Sequence, residues 1–256
     1  MLEARHLSRR FHGITVVHDV SFVVRPGEVL GYLGPNGSGK TTTLRMLTGA
    51  LEPNDGAVLL RGRDIAEVPI ELRRCIGYVP EEPYLYPFLS GRDYLELVGR
   101  LREIPAALLS RKIDGMLDLF GLSEAGDQDI SAYSKGMKQK VLVSAALLHD
   151  PDILILDEPE SGLDVGTALT LRHLIRGLAD RGKAVLYSSH VLEAVEKVCS
   201  RVIVLHRGRV VADDSVAHLR QLMSHTSLEE VFSELAIQID PAAVARDILD
   251  VATLRA

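Results

Sequence analysis

The sequence predicts an α/β fold with a mostly parallel sheet, antiparallel strands at its N-terminus and a helical insertion. Three observations carry this. Short apolar runs recur at residues 29–33, 76–79, 153–156, 183–187 and 202–205, the pattern of strands buried on both faces. Stretches with helical apolar spacing separate several of them, which implies βαβ units. The segment Gly34-Pro35-Asn36-Gly37-Ser38-Gly39-Lys40-Thr41 stands between such a run and a helical stretch. It fits G-x-x-x-x-G-K-[ST] at every fixed position.

Residues 2–24 read as two strands, the second alternating Val20, Phe22 and Val24 with Ser21 and Val23 before a turn at Pro26-Gly27. Between the strands lies Arg10-Phe11-His12-Gly13. Phe11 is either an aromatic that stacks on a base or a packing residue at a strand end. Residues 42–48 continue the glycine loop as a helix ended near Gly49. Asn54-Asp55-Gly56 reads as a turn, residues 57–60 as a strand and Arg61-Gly62-Arg63 as another turn.

From Tyr84 to Asp150 the apolar spacing is helical, with helices over 92–102, 107–120 and 137–149. Tyr94, Leu95, Val98 and Leu101 mark the apolar face of the first. The strand pattern then resumes. From Asp213 onward the chain is polar and mostly helical, and Ser227-Leu228-Glu229-Glu230 has the S-x-x-E capping-box form. The organisation is one domain over 1–212, with the helical insertion at about 84–150, and a helical tail over 213–256.

Bulk composition narrows the function classes. With 256 residues, 46% hydrophobic and 25% charged, the chain can bury a sizeable core. Its net charge of −6 gives no overall electrostatic footprint for nucleic acid. Cys75 and Cys199 show no metal spacing and are too few for a disulfide framework, which fits a reducing cytosol. The N-terminal residues have no signal-peptide apolar core. The longest apolar run, 141–148, is far short of the ~20 residues that cross a bilayer.

The chemistry starts from the glycine loop. Gly34, Gly37 and Gly39 let the backbone curl and aim successive N–H groups inward. The helix that follows points its positive end at the same spot. Lys40 would reach the β- and γ-phosphates, and Thr41 would place a hydroxyl on Mg²⁺. A second signal is an apolar run that ends in Asp157-Glu158. A carboxylate there can hold Mg²⁺, and its neighbour can orient or deprotonate a water. Gly34, Asp157 and His190 follow apolar strands, and ligands of such sheets sit at the strands' carboxyl ends.

Glu158-Pro159-Glu160-Ser161-Gly162-Leu163-Asp164 extends this block, and Tyr133-Ser134-Lys135-Gly136-Met137 lies upstream. With the glycine loop and Ser188-Ser189-His190, this ordered set resembles the ATP-binding-cassette (ABC) ATPases, whose core is a P-loop NTPase fold. Ser161 to Asp164 is similar to the family's D-loop, and Tyr133 to Met137 to its L-S-G-G-Q signature. Ser134 and Gly136 match that signature; Tyr133, Lys135 and Met137 depart from it. The Y-S-K-G-M form and the S-L-E-E-V-F tail resemble the ABC-2 type exporter subgroup.

The resemblance implies roles residue by residue. Gly34, Pro35, Asn36, Gly37, Ser38, Gly39, Lys40, Thr41 and Thr42 would cradle the phosphates of ATP. Phe11 would stack on adenine, and Thr41, Asp157 and Glu81 would serve Mg²⁺. Glu81 stands where the family usually has a glutamine, so it would either contact the metal as an anion or pair with a basic group. Glu158 would be the catalytic base, with Lys40 and His190 on the γ-phosphate.

Ser134, Lys135, Gly136 and Asp164 would act on the ATP of a second protomer, identical or not. The pair would drive a separate transmembrane permease, contacted by the helical insertion with the loop 81–89 at its hinge, where the aromatics of the stretch 81–88 suit a partner groove. That implies a cytoplasmic protein, peripheral on the inner face of the cell membrane. The competing reading is a soluble ABC ATPase acting on nucleic acid or ribosomes. Such proteins usually carry two cassettes or long coiled-coil insertions, and this chain shows neither, so no nucleic acid partner is expected.

Overall fold

In the computed structural model the apolar runs become the strands of one six-stranded sheet; residues 1–189 and 192–222 are described. The chain opens with β1 (Leu2–Phe11) and β2 (Ile14–Val24), then β3 (Val29–Leu33) leads into α1 (Lys40–Leu47). β4 (Asp55–Leu60), β5 (Arg63–Asp64), α2 (Pro69–Cys75) and β6 (Ile76–Val79) follow. Three helices come next, α3 (Gly91–Leu101), α4 (Ala106–Leu119) and α5 (Lys135–Leu147). The chain returns to the sheet with β7 (Ile153–Asp157), α6 (Val165–Asp180), β8 (Ala184–Ser188) and α7 (Leu192–Val198). It goes on through β9 (Arg201–His206), β10 (Arg209–Ser215) and α8 (Val216–Leu222).

The large sheet has the order β10-β9-β3-β8-β7-β6. Every pairing in it is parallel except that of β10 with β9. Every residue of β3, β7 and β8 is buried, which is why they read as unbroken apolar runs. A second, antiparallel sheet has the order β2-β1-β4-β5. One apolar cluster lies between the two sheets and α1, built from Leu2, Leu7, Val17, Tyr32, Leu44 and Leu205. Another joins the large sheet to α5, α6 and α7 through Leu142, Val143, Leu171, Ile175 and Val195.

The helical insertion has its own core, in which Leu95, Leu109, Ile113 and Leu117 meet Val141, Ala145 and Leu148 of α5. α5 therefore buries one side against the sheet and another against α3 and α4, and it ties the insertion to the sheet.

Three expectations shift. Residues 54–56 are not a free turn, because Asp55 already pairs with Ser8 and starts β4. The strand β10 runs past 212 to Ser215, since Asp213 and Asp214 still pair with Ile203 and Val202. The boundary drawn at 212 therefore falls inside a strand. The helix α2 was not read from the sequence. The tail's capping box at Ser227, with the rest of 223–256, lies outside the described residues. Among the described residues no helix is long and apolar enough to cross a membrane, and Cys75 and Cys199 are both free and buried.

Candidate active site

Parallel pairing sets the site's floor. Tyr32 of β3 and Asp157 of β7 both stand opposite Ser188 of β8, so the three form one row across the sheet. Gly34 and Glu158 leave the sheet just beyond that row. They open into a cleft of about 590 Å³. Gly34, Pro35, Asn36, Gly37, Gly39, Lys40, Thr41, Thr42, Glu81 and Glu158 line it, joined by Val16, Ser189 and Leu192.

The loop's shape is fixed by its contacts. Gly39 caps α1 at φ +104°, and a Cβ there would sit 2.8 Å from the Val16 carbonyl oxygen. Only glycine fits that left-handed, crowded position. The α1 helix is locked from below: Thr43 Oγ1 donates to the Gly39 carbonyl (3.0 Å) and accepts from the Tyr32 hydroxyl (3.3 Å). Its first turn carries no acidic residue, so its free N–H groups face the cleft unopposed. Lys40 is largely buried and donates from Nζ to the Gly34 carbonyl at 2.7 Å. That bond curls the ammonium over the loop, where a phosphate oxygen would compete with the carbonyl. Ser38 is tucked under the loop, and its Oγ has no hydrogen-bond partner among the described residues.

Asp157 is fully buried, and both carboxylate oxygens lack a hydrogen-bond partner among the described residues. Burial raises its pKa; the hydroxyls of Thr41 and Ser188 oppose this in part, without forming full hydrogen bonds. An unpartnered buried carboxylate is costly unless something cationic completes it. Asp157 with the Thr41 hydroxyl close by is a donor set of the hard-oxygen kind that Mg²⁺ takes. The residues present therefore fit that ion.

Glu158 is buried, with its backbone at φ +49°, in the left-handed region that non-glycine residues seldom adopt. Its N–H donates to the Ser188 carbonyl at 3.1 Å. Strain of this kind gathers at functional sites. Glu81 is exposed and has no ion pair among the described residues, although a basic partner was one of its two expected roles. It borders both the main cleft and a smaller cavity formed with Thr41, Arg45, Tyr78 and Tyr84.

Other predicted residues stand elsewhere. Phe11 does not line the cleft; it ends β1, 38% exposed, with the Arg9 guanidinium 4.9 Å from its ring centroid. His190 lies outside the described residues. Ser134 is exposed and caps α5, accepting from the Met137 N–H at 3.2 Å. Lys135 donates to Ser161 Oγ at 2.7 Å, a neutral partner that ties the two loops together and leaves the ammonium charge in place. Gly136 packs so closely on Gly162 that a Cβ would come within 2.6 Å of the Gly162 carbonyl oxygen. Asp164 caps α6, accepting from the Thr167 hydroxyl at 2.6 Å and from the Thr167 N–H at 2.9 Å, and these bonds lower its pKa. Ser134, Lys135, Gly136 and Asp164 thus stand beside one another's loops but do not line the cleft.

Sequence reasoning passed over Val16, Ser189 and Leu192 as cleft-lining residues. Ser189 was visible next to His190; Val16 and Leu192 carry no chemical signal.

The fold and cleft define a P-loop nucleotide-binding domain. Residues 17–161 match the family described as ABC transporter. An uncharacterized ABC transporter ATP-binding protein of Nostoc sp. is 43% identical over 201 residues, 78% of this chain and 59% of that protein. The Nod factor export ATP-binding protein I of Ralstonia nicotianae is 36% identical over 212 residues, 83% of this chain and 66% of that protein. This chain thus spans about three fifths to two thirds of the length of those relatives. A solved structure described as the ATP binding subunit of an ABC transporter superposes with TM-score 0.86 at 34% identity, covering 92% of this chain and 99% of that one. The chain belongs to the ABC transporter family, and its domain is an ATP-binding ATPase cassette.

Proposed function

We propose that this chain hydrolyses ATP as one of two cassettes that drive a separate transmembrane permease, as part of an exporter. One observation carries the reading: Lys40, Thr41, buried unpartnered Asp157 and strained Glu158 converge at the carboxyl ends of β3 and β7. Such an arrangement suits phosphoryl transfer to water, where catalysis is mostly positioning and charge stabilisation.

In this reading the α1 amides and Lys40 hold the phosphates, and Lys40 gives up the Gly34 carbonyl to do so. Thr41 and Asp157 hold Mg²⁺, with Glu81 at its margin; the ion, when bound, neutralises charge on the phosphate oxygens. Glu158 accepts the proton of the attacking water. His190 serves the γ-phosphate. The exposed ring of Phe11 takes adenine on the face that Arg9 leaves open.

The dimer rests on the signature residues. Ser134 and Gly136 match the family's ATP-contacting signature and Lys135 stands between them, yet none of the three lines this chain's own cleft. Their partner is therefore the nucleotide of a second cassette. The export direction draws on the Ralstonia relative's printed role. The chain would work at the cytoplasmic face of the membrane, through the permease.

The test is ATP turnover by the purified chain. Glu158→Gln should lower kcat by about 10²-fold or more, retain ATP binding and accumulate an ATP-dependent dimer. Lys40→Ala should lose ATP binding. Wild-type turnover in Glu158→Gln would remove the base assignment, and unchanged affinity in Lys40→Ala would remove the phosphate role.

A further inference from the structure

Three successive residues beyond β7 are each held from a different place. The Glu158 N–H donates to the Ser188 carbonyl at 3.1 Å. The Pro159 carbonyl accepts from Gln139 Nε2 at 3.1 Å, and that glutamine is fully buried on α5. Glu160 is held by its side chain. Arg172 of α6 donates to it through two nitrogens, at 2.8 and 2.7 Å, and the Tyr187 hydroxyl of β8 adds a third bond at 2.7 Å. The Glu160 and Arg172 side chains are only 12% and 20% exposed. A two-pronged, charge-assisted pair in such a place is both strong and directional.

The position of this clamp matters more than its strength. Glu158 sits at φ +49°, a conformation that costs of order 1–3 kcal/mol and persists only where the surroundings over-determine it. The turn is closed by the Ser161 N–H donating to the Glu158 carbonyl at 3.1 Å. Its entry hangs from Ser188, and its exit, through Glu160, hangs from the adjacent Tyr187. Both ends of the turn are thus fastened to one stretch of β8. Besides the nucleotide cleft, Glu158 borders a second cavity of about 410 Å³, shared with Glu160, Ser161 and Arg172.

We propose that Glu160, gripped by Arg172 and Tyr187, is a positioning residue for Glu158: it fixes the turn that keeps the Glu158 carboxylate on the nucleotide side. The proposal rests on Glu158 acting as the base. Glu160 touches neither nucleotide nor water in this scheme; it acts through the backbone of residues 158–160.

The test compares kcat, KM for ATP, ATP affinity by equilibrium binding, and Tm in the purified full chain. Glu160→Gln and Arg172→Met should lower kcat about 10- to 100-fold, the scale of a misplaced reacting group, with KM and ATP affinity unchanged. Tyr187→Phe keeps its ring and removes one bond, so it should show a smaller fall in kcat with the same split. That variant decides the matter if the first two do not fold. In a Glu158→Gln background, Glu160→Gln should add no further loss. Wild-type kcat in folded Glu160→Gln or Tyr187→Phe overturns the proposal, as does a loss of ATP affinity that keeps step with kcat. If Glu158→Gln itself turns over normally, the base assignment fails instead, so the two failures are told apart.

Discussion

At the scale of single residues, the site sits at the expense of stability. Among the described residues neither buried oxygen of Asp157 has a hydrogen-bond partner, and burial holds its pKa above the ordinary carboxylate range. The sign follows. A carboxyl whose pKa is raised by folding binds its proton more tightly in the folded state. Its contribution to stability is therefore largest below the unfolded value and is lost as pH rises through the folded one. Asp157→Asn removes that charge. Without metal, the variant should be more stable than the wild type at neutral pH, by about 1–3 kcal/mol, the usual cost of an unsatisfied buried group. The gap should shrink as pH falls towards 4. Added Mg²⁺ and ATP should raise Tm in the wild type and much less in the variant. Thermal unfolding with EDTA, from pH 4 to 8, measures both; a variant less stable at every pH would mean Asp157 is satisfied by protein.

At the scale of elements, α5 is the linking piece. Its N-terminal end touches the loop 161–164 through Lys135 and Gly136, while its flanks belong to two cores. Gly136→Ala would drive a methyl into the Gly162 carbonyl, so the two loops must part. In a Glu158→Gln background this change should abolish the ATP-dependent dimer while leaving ATP binding to each chain intact. Size-exclusion chromatography with and without ATP reads it, and an undiminished dimer would show that the loops tolerate separation. This element also shows what a sequence yields. Ser134 as a cap, the apolar strands and the acids at the end of β7 were legible, because each follows from residue type and local spacing. Arg172 was not: it reads as a polar helix position, and only the fold carries it to Glu160. Glu158's left-handed backbone and the seven-residue α2 were equally hidden, the first a tertiary effect and the second too short for a periodic signal.

At the scale of the whole molecule, one surface is out of keeping with the rest. Tyr84, Tyr86 and Phe88 are 73%, 53% and 72% exposed, within the loop between β6 and α3. Tyr86 lies 5.8 Å from Phe88 and 6.3 Å from Tyr94, ring to ring, so the rings form a cluster rather than scattered contacts. Clustered exposed aromatics mark partner surfaces. The same loop carries Glu81, which borders the nucleotide cleft. A partner seated on Phe88 is thus joined to the cleft by a short stretch of backbone, a route by which nucleotide state could reach the permease. Tyr86→Ser with Phe88→Ser should leave ATP affinity and the isolated chain's turnover at wild-type levels, because neither ring lines the cleft. It should release the chain from the membrane fraction of cells that make it, and remove any change in turnover that those membranes cause. Sedimentation of the full chain with washed membranes, followed by ATPase assay of pellet and supernatant, separates the two effects. Full retention in the pellet would move the permease contact away from this loop.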